Sequence, residues 1–248
     1  MPLTPQQRIR YERNLLLPGV GPEGQQKLLR SAVLVVGVGG LGCSVAVQLA
    51  AAGVGRIGLV DGDVVELSNL QRQILYTTAD IGVAKSRAAA SRLKALNPDL
   101  TLEECPERLS GANALNLVRR YDIVVDCSDN LATRFLLNEV CVGLLKPWVY
   151  AAVLAFTGQI MTVIPGRGPC YRCLYREEPA TSPPGTETWG VLPTVPGVVG
   201  YLQANEVLKY FLGVGELLVG RMLIFEALTG RFEEVEVARD PACPDCGG

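Results

Sequence analysis

Residues 32–42 read Ala-Val-Leu-Val-Val-Gly-Val-Gly-Gly-Leu-Gly, and the choice of fold turns on them. A short apolar, β-branched run bounded by glycine reads as a buried strand. Gly37, Gly39 and Gly42 then form G-x-G-x-x-G at the start of an Ala-rich helix reaching about residue 52. Backbone amides and the helix dipole at such a turn receive phosphate, and Gly40 adds room for close approach. Asp61 ends a second strand, 57–60, about 20 residues further on, where it is placed to accept hydrogen bonds from ribose hydroxyls. Taken alone, these two features favour an NAD-dependent oxidoreductase.

Outward from that nucleus the pattern alternates. Residues 85–96 read as a helix, 100–104 as a strand, 112–120 as a helix and 123–125 as a strand, which predicts a parallel sheet covered on both faces. After a helix over 131–144, the apolar stretches 148–153 and 158–164 are joined too closely for helical crossovers, so an antiparallel extension is expected. A helix over 195–211 and a hairpin of 222–227 with 232–237 complete it. Residues 4–17 and 22–29 read as two short helices of an N-terminal arm. The expected fold is therefore α/β, a Rossmann-like and mainly parallel sheet extended by antiparallel strands, with helices on both faces. It forms one domain over 1–248: an arm to residue 30, a nucleotide-binding half over 31–150 and an antiparallel extension over 151–248. The segment 176–188, rich in Pro, Thr and Glu, reads as an exposed and mobile loop.

Composition narrows the chemistry. A chain of 248 residues, 48% hydrophobic, fills a substantial core. Its 23 basic and 25 acidic residues nearly cancel, which argues against nucleic acid or an anionic membrane as partner. With no signal-peptide pattern and no apolar run of the roughly 18 residues that span a bilayer, a cytoplasmic protein is expected. Histidine is absent, which removes the commonest general base and every imidazole zinc site. Eight cysteines in a cytosolic chain argue for metal, catalysis or packing, not disulfides.

The loop after Asp61 changes the reading of the ligand. It gathers Asp63, Ser68, Asn69, Arg72 and Gln73 at the carboxyl end of the sheet, and dinucleotide binding does not call for them. Lys85 opens the next helix and Asp129-Asn130 follows the 123–125 strand, so three loops converge on the crevice where α/β sheets bind ligands. Arg72 and Lys85 are suited to a triphosphate, and Asp129 to Mg²⁺. Displacement at phosphorus draws its catalysis from positioned charge and metal, and a carboxylate nucleophile needs no general base.

Cys170-x-x-Cys173 and Cys243-x-x-Cys246 supply two ligand pairs with the spacing of a tetrahedral zinc site. A redox dithiol is the rival for either pair alone; a four-thiolate set leaves no open coordination position and reads as structural zinc. Cys43, Cys105, Cys127 and Cys141 lie in or beside apolar stretches and read as packing residues.

These residues together resemble the MoeB/ThiF/HesA family, bacterial relatives of the ubiquitin-activating enzymes, and most closely its MoeB-like members. The likeness covers residues 10–14 (Arg-Tyr-Glu-Arg-Asn), 37–42, 61–73, Lys85, Asp126 to Asn130 with Arg134, both cysteine pairs and the Gln-Ala-Asn-Glu at 203–206. It implies ATP-Mg binding and adenylation of the C-terminal glycine carboxylate of a small ubiquitin-like sulfur carrier of the MoaD or ThiS type, for cofactor biosynthesis. Gly40, Asp61, Asn69, Arg72, Lys85, Asp129 and Asn130 are then nucleotide residues. The same resemblance implies a homodimer in which Arg13 reaches the partner's ATP site. Many members carry a cysteine before a Gly-Val step between the ligand pairs; aligning on Gly190-Val191 puts Thr186 there, so a covalent carrier link through that loop is not expected. A separate sulfur donor, a cysteine desulfurase or sulfurtransferase, is implied instead. An NAD(P)-binding oxidoreductase and a non-catalytic zinc-stapled adaptor are the alternatives.

Overall fold

A computed structural model describes residues 2–177 and 189–247. Of the expected loop over 176–188, residues 178–188, Thr186 included, lie outside the described residues.

The apolar run forms β1 (Ala32–Val36), followed by α4 (Gly40–Ala52), β2 (Arg56–Val60), α5 (Lys85–Leu96), β3 (Thr101–Cys105), α6 (Ala114–Val118), β4 (Ile123–Asp126) and α7 (Leu131–Gly143). Next come β5 (Trp148–Leu154), β6 (Thr157–Val163), a short α8 (Tyr171–Leu174), the long α9 (Thr194–Leu212), β7 (Arg221–Glu226) and β8 (Arg231–Glu236). All eight strands join one sheet in the order β3-β2-β1-β4-β5-β6-β7-β8. Pairing is parallel from β3 to β5 and antiparallel from β5 to β8, as the short 148–164 connection requires.

Alternation along each strand sends side chains to two cores. Val33, Val35, Ile57, Leu59 and Val125 pack with α4, α5 and α9, whereas Leu34, Val36, Val124, Trp148 and Tyr150 pack with α6, α7 and α8. Strand order reverses direction at β1 and β4, so the loops leaving these two strands part and open a crevice at their carboxyl ends. From α9, Gln203 Nε2 donates to the carbonyls of Asp126, at 2.7 Å, and Val149, at 3.3 Å, bracing the floor of that crevice.

The 4–17 segment is not a single helix. It splits into α1 (Pro5–Arg10) and α2 (Glu12–Leu15), preceding α3 (Gly21–Arg30). The break falls at Tyr11, which is 1% exposed and whose hydroxyl accepts from Asn97 Nδ2 at 2.9 Å. Burying that ring outweighs continuation of a short, mostly polar helix whose own stability in water is marginal.

Candidate functional site

The glycine turn is built by backbone geometry that side chains forbid. Gly37 has φ +87°, and a Cβ there would lie 2.7 Å from the Cys127 carbonyl oxygen. A Cβ at Gly42 would lie 2.0 Å from the Gly37 carbonyl oxygen, so the first turn of α4 folds directly onto the strand end. Asp61 fixes the turn: its Oδ2 accepts from Val38 N at 2.7 Å and its Oδ1 from Asp63 N at 2.8 Å. Burial pushes the Asp61 carboxyl above its usual range, opposed by those two amides and by Lys85.

Residues 61–84 leave the sheet and return. Val65 N donates to Val83 O at 2.9 Å and Lys85 N to Asp63 O at 3.0 Å, closing the excursion with backbone bonds. Lys85 Nζ thereby reaches Asp63 Oδ2 at 3.1 Å, while Arg108 donates to Asp63 Oδ1 at 2.9 Å. Burial alone would raise Asp63; the hydrogen bonds and charges of Lys85 and Arg108 prevail and hold it below the usual carboxylate range. Within the excursion, Asn69 Oδ1 accepts from Glu66 N at 3.2 Å, and Arg72 donates to the Ser68 carbonyl at 3.2 Å. Ser68 is exposed, its hydroxyl 3.4 Å from Glu66 Oε2. Gln73 is buried beside the turn, its Nε2 3.6 Å from where a Gly39 Cβ would stand, and its buried Oε1 has no hydrogen-bond partner among the described residues. An orphaned acceptor beside the glycine turn calls for a hydrogen-bond donor, which a ligand bearing hydroxyl or amino groups would supply.

At the end of β4, Asp129 and Asn130 are exposed at the same crevice. The Asn130 side chain caps α7, accepting from Thr133 N at 2.9 Å. The structure therefore brings together Gly37, Gly39, Gly40, Gly42, Asp61, Asp63, Arg72, Gln73 and Lys85, with Asp129 and Asn130 on the loop that packs under Gly37. Arg13 is the exception. It is exposed on α2, and its neighbour Asn14 approaches the Ala52 carbonyl at the far end of α4. At 1.5 Å per residue that end lies about 18 Å from the glycine turn. Within one chain Arg13 does not reach this crevice.

The four paired cysteines meet on the other face of the sheet. Their sulfurs lie within 4.8 Å of one another, with Cys170···Cys243 at 3.5 Å and Cys173···Cys246 at 3.4 Å. The C-terminal segment is drawn onto α7 and α8, where Asn138 Nδ2 donates to Cys170 Sγ at 3.5 Å and to Asp245 Oδ2 at 2.6 Å. Asn138 Oδ1 accepts from Tyr171 N at 2.8 Å, and Arg172 Nε lies 3.0 Å from Asp245. A cluster of four thiols with oriented outer hydrogen bonds suits a tetrahedral thiophilic ion.

Three contributors were not evident from sequence. Tyr76, whose hydroxyl donates to the Val38 carbonyl at 2.7 Å, ties the excursion to the glycine turn; Arg108 engages Asp63; Asn138 serves the cysteine cluster. Tyrosine, arginine and asparagine in a loop or helix carry no spacing signal, and only the fold reveals their partners.

The profile of the ThiF family matches residues 11–245. The chain is 48% identical to a Thermus thermophilus protein named sulfur carrier protein adenylyltransferase, over 98% of this chain and 92% of that one. It is 47% identical to the SAMP-activating enzyme E1 of Haloferax volcanii, covering 96% and 88% of the two chains. Against the Sus scrofa adenylyltransferase and sulfurtransferase MOCS3, identity is 48%, but the chain spans only 54% of that protein's length. Among solved structures, Escherichia coli MccB with ATP superposes with a TM-score of 0.82 at 27% identity, covering 96% of this chain and 74% of MccB.

Proposed function

Because the chain belongs to the ThiF family, we propose that it transfers AMP from ATP to the C-terminal glycine carboxylate of a small ubiquitin-like sulfur-carrier protein, releasing pyrophosphate. The observation that carries this reading is the return of the 61–84 excursion, which seats Lys85 against Asp63 at the mouth of the glycine turn. A dinucleotide site has no use for such a charge pair; a triphosphate does. The nearly full-length relatives in Thermus thermophilus and Haloferax volcanii, named a sulfur carrier protein adenylyltransferase and a SAMP-activating enzyme E1, support this reading.

In this reading the amides of residues 37–42 receive phosphate, Asp61 takes the ribose hydroxyls, and Gln73 Oε1 gains the partner it lacks. Asn69 and Ser68 shape the excursion, and Asn130 sets the first turn of α7. Arg72 and Lys85 neutralise the phosphates, and Asp129 would hold Mg²⁺, which supplies charge stabilisation at the pyrophosphate leaving group. The carrier carboxylate attacks the α-phosphorus, the bond to the bridging oxygen breaks, and pyrophosphate leaves with that electron pair. No general base is needed, consistent with a chain that contains no histidine.

Arg13 requires a second copy of the chain, so the proposed active form is a homodimer in which each arm reaches the partner's crevice. Cys170, Cys173, Cys243 and Cys246 would hold a structural Zn²⁺, a thiolate site suited to the reducing cytoplasm. The sulfur donor is proposed to be a separate desulfurase or sulfurtransferase, and the carrier one of the MoaD or ThiS type serving cofactor biosynthesis. ATP–pyrophosphate exchange with Gly-Gly-terminated carriers tests the function: carrier-dependent exchange is expected. Its absence with every such carrier, together with nicotinamide dinucleotide binding tighter than ATP, would return the site to oxidoreductases.

A further inference from the structure

We propose that Asp126 and Arg134 form a clamp on the Ser128 peptide that positions Asp129 for metal; this rests on the adenylation reading, in which Asp129 holds Mg²⁺. Asp126 Oδ1 accepts from both Ser128 N, at 2.9 Å, and Ser128 Oγ, at 2.6 Å. From the first turn of α7, Arg134 donates to the Ser128 carbonyl at 3.1 Å. The peptide groups on both sides of Ser128 are thus held, and one residue beyond Asp129 the Asn130 side chain is held as the α7 cap. Asp129 itself makes no hydrogen bond among the described residues, so its place is set by these neighbours. The same loop is pinned from above, because a Cβ at Gly37 would lie 3.2 Å from Ser128 N.

The clamp is an unfavourable arrangement unless something requires it. Asp126 is 0% exposed, and burying a carboxylate and a guanidinium carries a desolvation cost that the pair offsets only with good geometry. Here Arg134 Nε and Asp126 Oδ2 stand 3.9 Å apart, and neither atom has a hydrogen-bond partner. Arg134 is held at this separation by the Ser128 carbonyl and by the Tyr150 ring, 5.6 Å from its guanidinium carbon. The charged groups are spent on the loop's shape and not on each other. Asp126, fully buried, and Arg134, its side chain 12% exposed, are positioning residues that act through Asp129.

The test is the Mg²⁺ dependence of ATP binding, measured by calorimetry, for the wild type, Arg134→Lys, Ser128→Ala and Asp129→Asn. Arg134→Lys keeps the charge beside Asp126 but loses the forked donor. It should raise the Mg²⁺ concentration for half-maximal binding by about tenfold or more, the range found when outer-shell partners of metal ligands are removed. Binding of ATP in the presence of a chelator should stay unchanged. Ser128→Ala, which loses only the hydroxyl bond, should shift the midpoint in the same direction by less, and it carries the test if Arg134→Lys fails to fold. A folded Arg134→Lys or Ser128→Ala protein with an unmoved midpoint overturns the clamp, as does an unmoved midpoint in Asp129→Asn. No carrier is present in this measurement, so failure of the adenylation reading, seen as absent pyrophosphate exchange in the wild type, stays distinct from failure of the clamp.

Discussion

Lys85 Nζ lies 3.1 Å from Asp63 Oδ2, so the cation proposed for the phosphates of ATP already has an anionic partner in the free protein. Lys85 is 7% exposed, and an unpaired ammonium at that depth would be costly. Nucleotide binding then exchanges one anion for another at Lys85, while Arg108, already on the other oxygen of Asp63, remains to balance the released carboxylate.

Lys85→Met should therefore remove a charge-assisted hydrogen bond to phosphate. Such bonds contribute about 1.5–3 kcal/mol, which predicts ATP binding weaker by about tenfold or more. Arg108→Ala removes an exposed pair whose contribution is at most about 1 kcal/mol, so a change of no more than about fivefold, diminishing with added salt, is expected. Titration of ATP into the two variants at low and high salt checks both, and equal losses would contradict the order of roles.

Metal analysis of reduced protein should give close to one zinc per chain. Chelation should lower the melting temperature, since metal binding in a four-thiolate site is coupled to folding. Cys173→Ser or Cys246→Ser should reduce stability more than ATP affinity. Asn138→Ala, which leaves Tyr171 N without its acceptor and Asp245 with Arg172 alone, should cost about 1–3 kcal/mol. Four freely alkylated thiols and no zinc would remove the site.

The parts legible in the sequence are those with a period or a fixed spacing. Residues 32–42 announce strand, turn and helix because burial on both faces and positive φ select residue types strongly; the cysteine pairs announce themselves because one ion dictates their spacing. The return of residues 61–84 was not legible in the same way: it depends on bonds such as Lys85 N to Asp63 O, between residues whose types are ordinary. Arg108 and Asn138 were missed for that reason. The break at Tyr11 was missed because a buried contact with Asn97, far along the chain, overrides local helix pattern.

No covalent bond should form between enzyme and carrier during adenylation. Burial pushes the Cys43 thiol up to about 12 and raises those of Cys127, Cys141 and Cys105 above the ordinary thiol range as well, so none is a ready thiolate near neutral pH. Residues 174–242 contain no cysteine. Denaturing mass spectrometry without reductant, after incubation with ATP-Mg and carrier, should show free enzyme. A carrier-sized adduct released by thiol would contradict this and identify the reactive sulfur.

The Asp126 carboxyl should titrate far above an ordinary aspartate. Burial pushes it up to about 6, against Arg134 and the Ser128 bonds that favour the charged form, with Asp129 adding a further upward push. The unfolded chain has an ordinary value near 3.9, so between about pH 4 and pH 6 the folded state keeps a proton that the unfolded state has lost. Stability contributed through Asp126 is therefore greatest below about pH 4 and falls as pH rises to about 6, by on the order of 3 kcal/mol. Asp63 and Glu103, both lowered, act with the opposite sign, their contributions present above the unfolded values and lost as pH falls. The wild-type curve mixes the two, but the difference between wild type and Asp126→Asn isolates the first: the wild type should lose stability relative to the variant from about pH 4 to 6 and hold level above. Carbon-detected NMR of the Asp126 carboxyl should place its midpoint near 6. A midpoint in the ordinary aspartate range would mean that Arg134 and Ser128 outweigh burial, and that the pair is closed in solution.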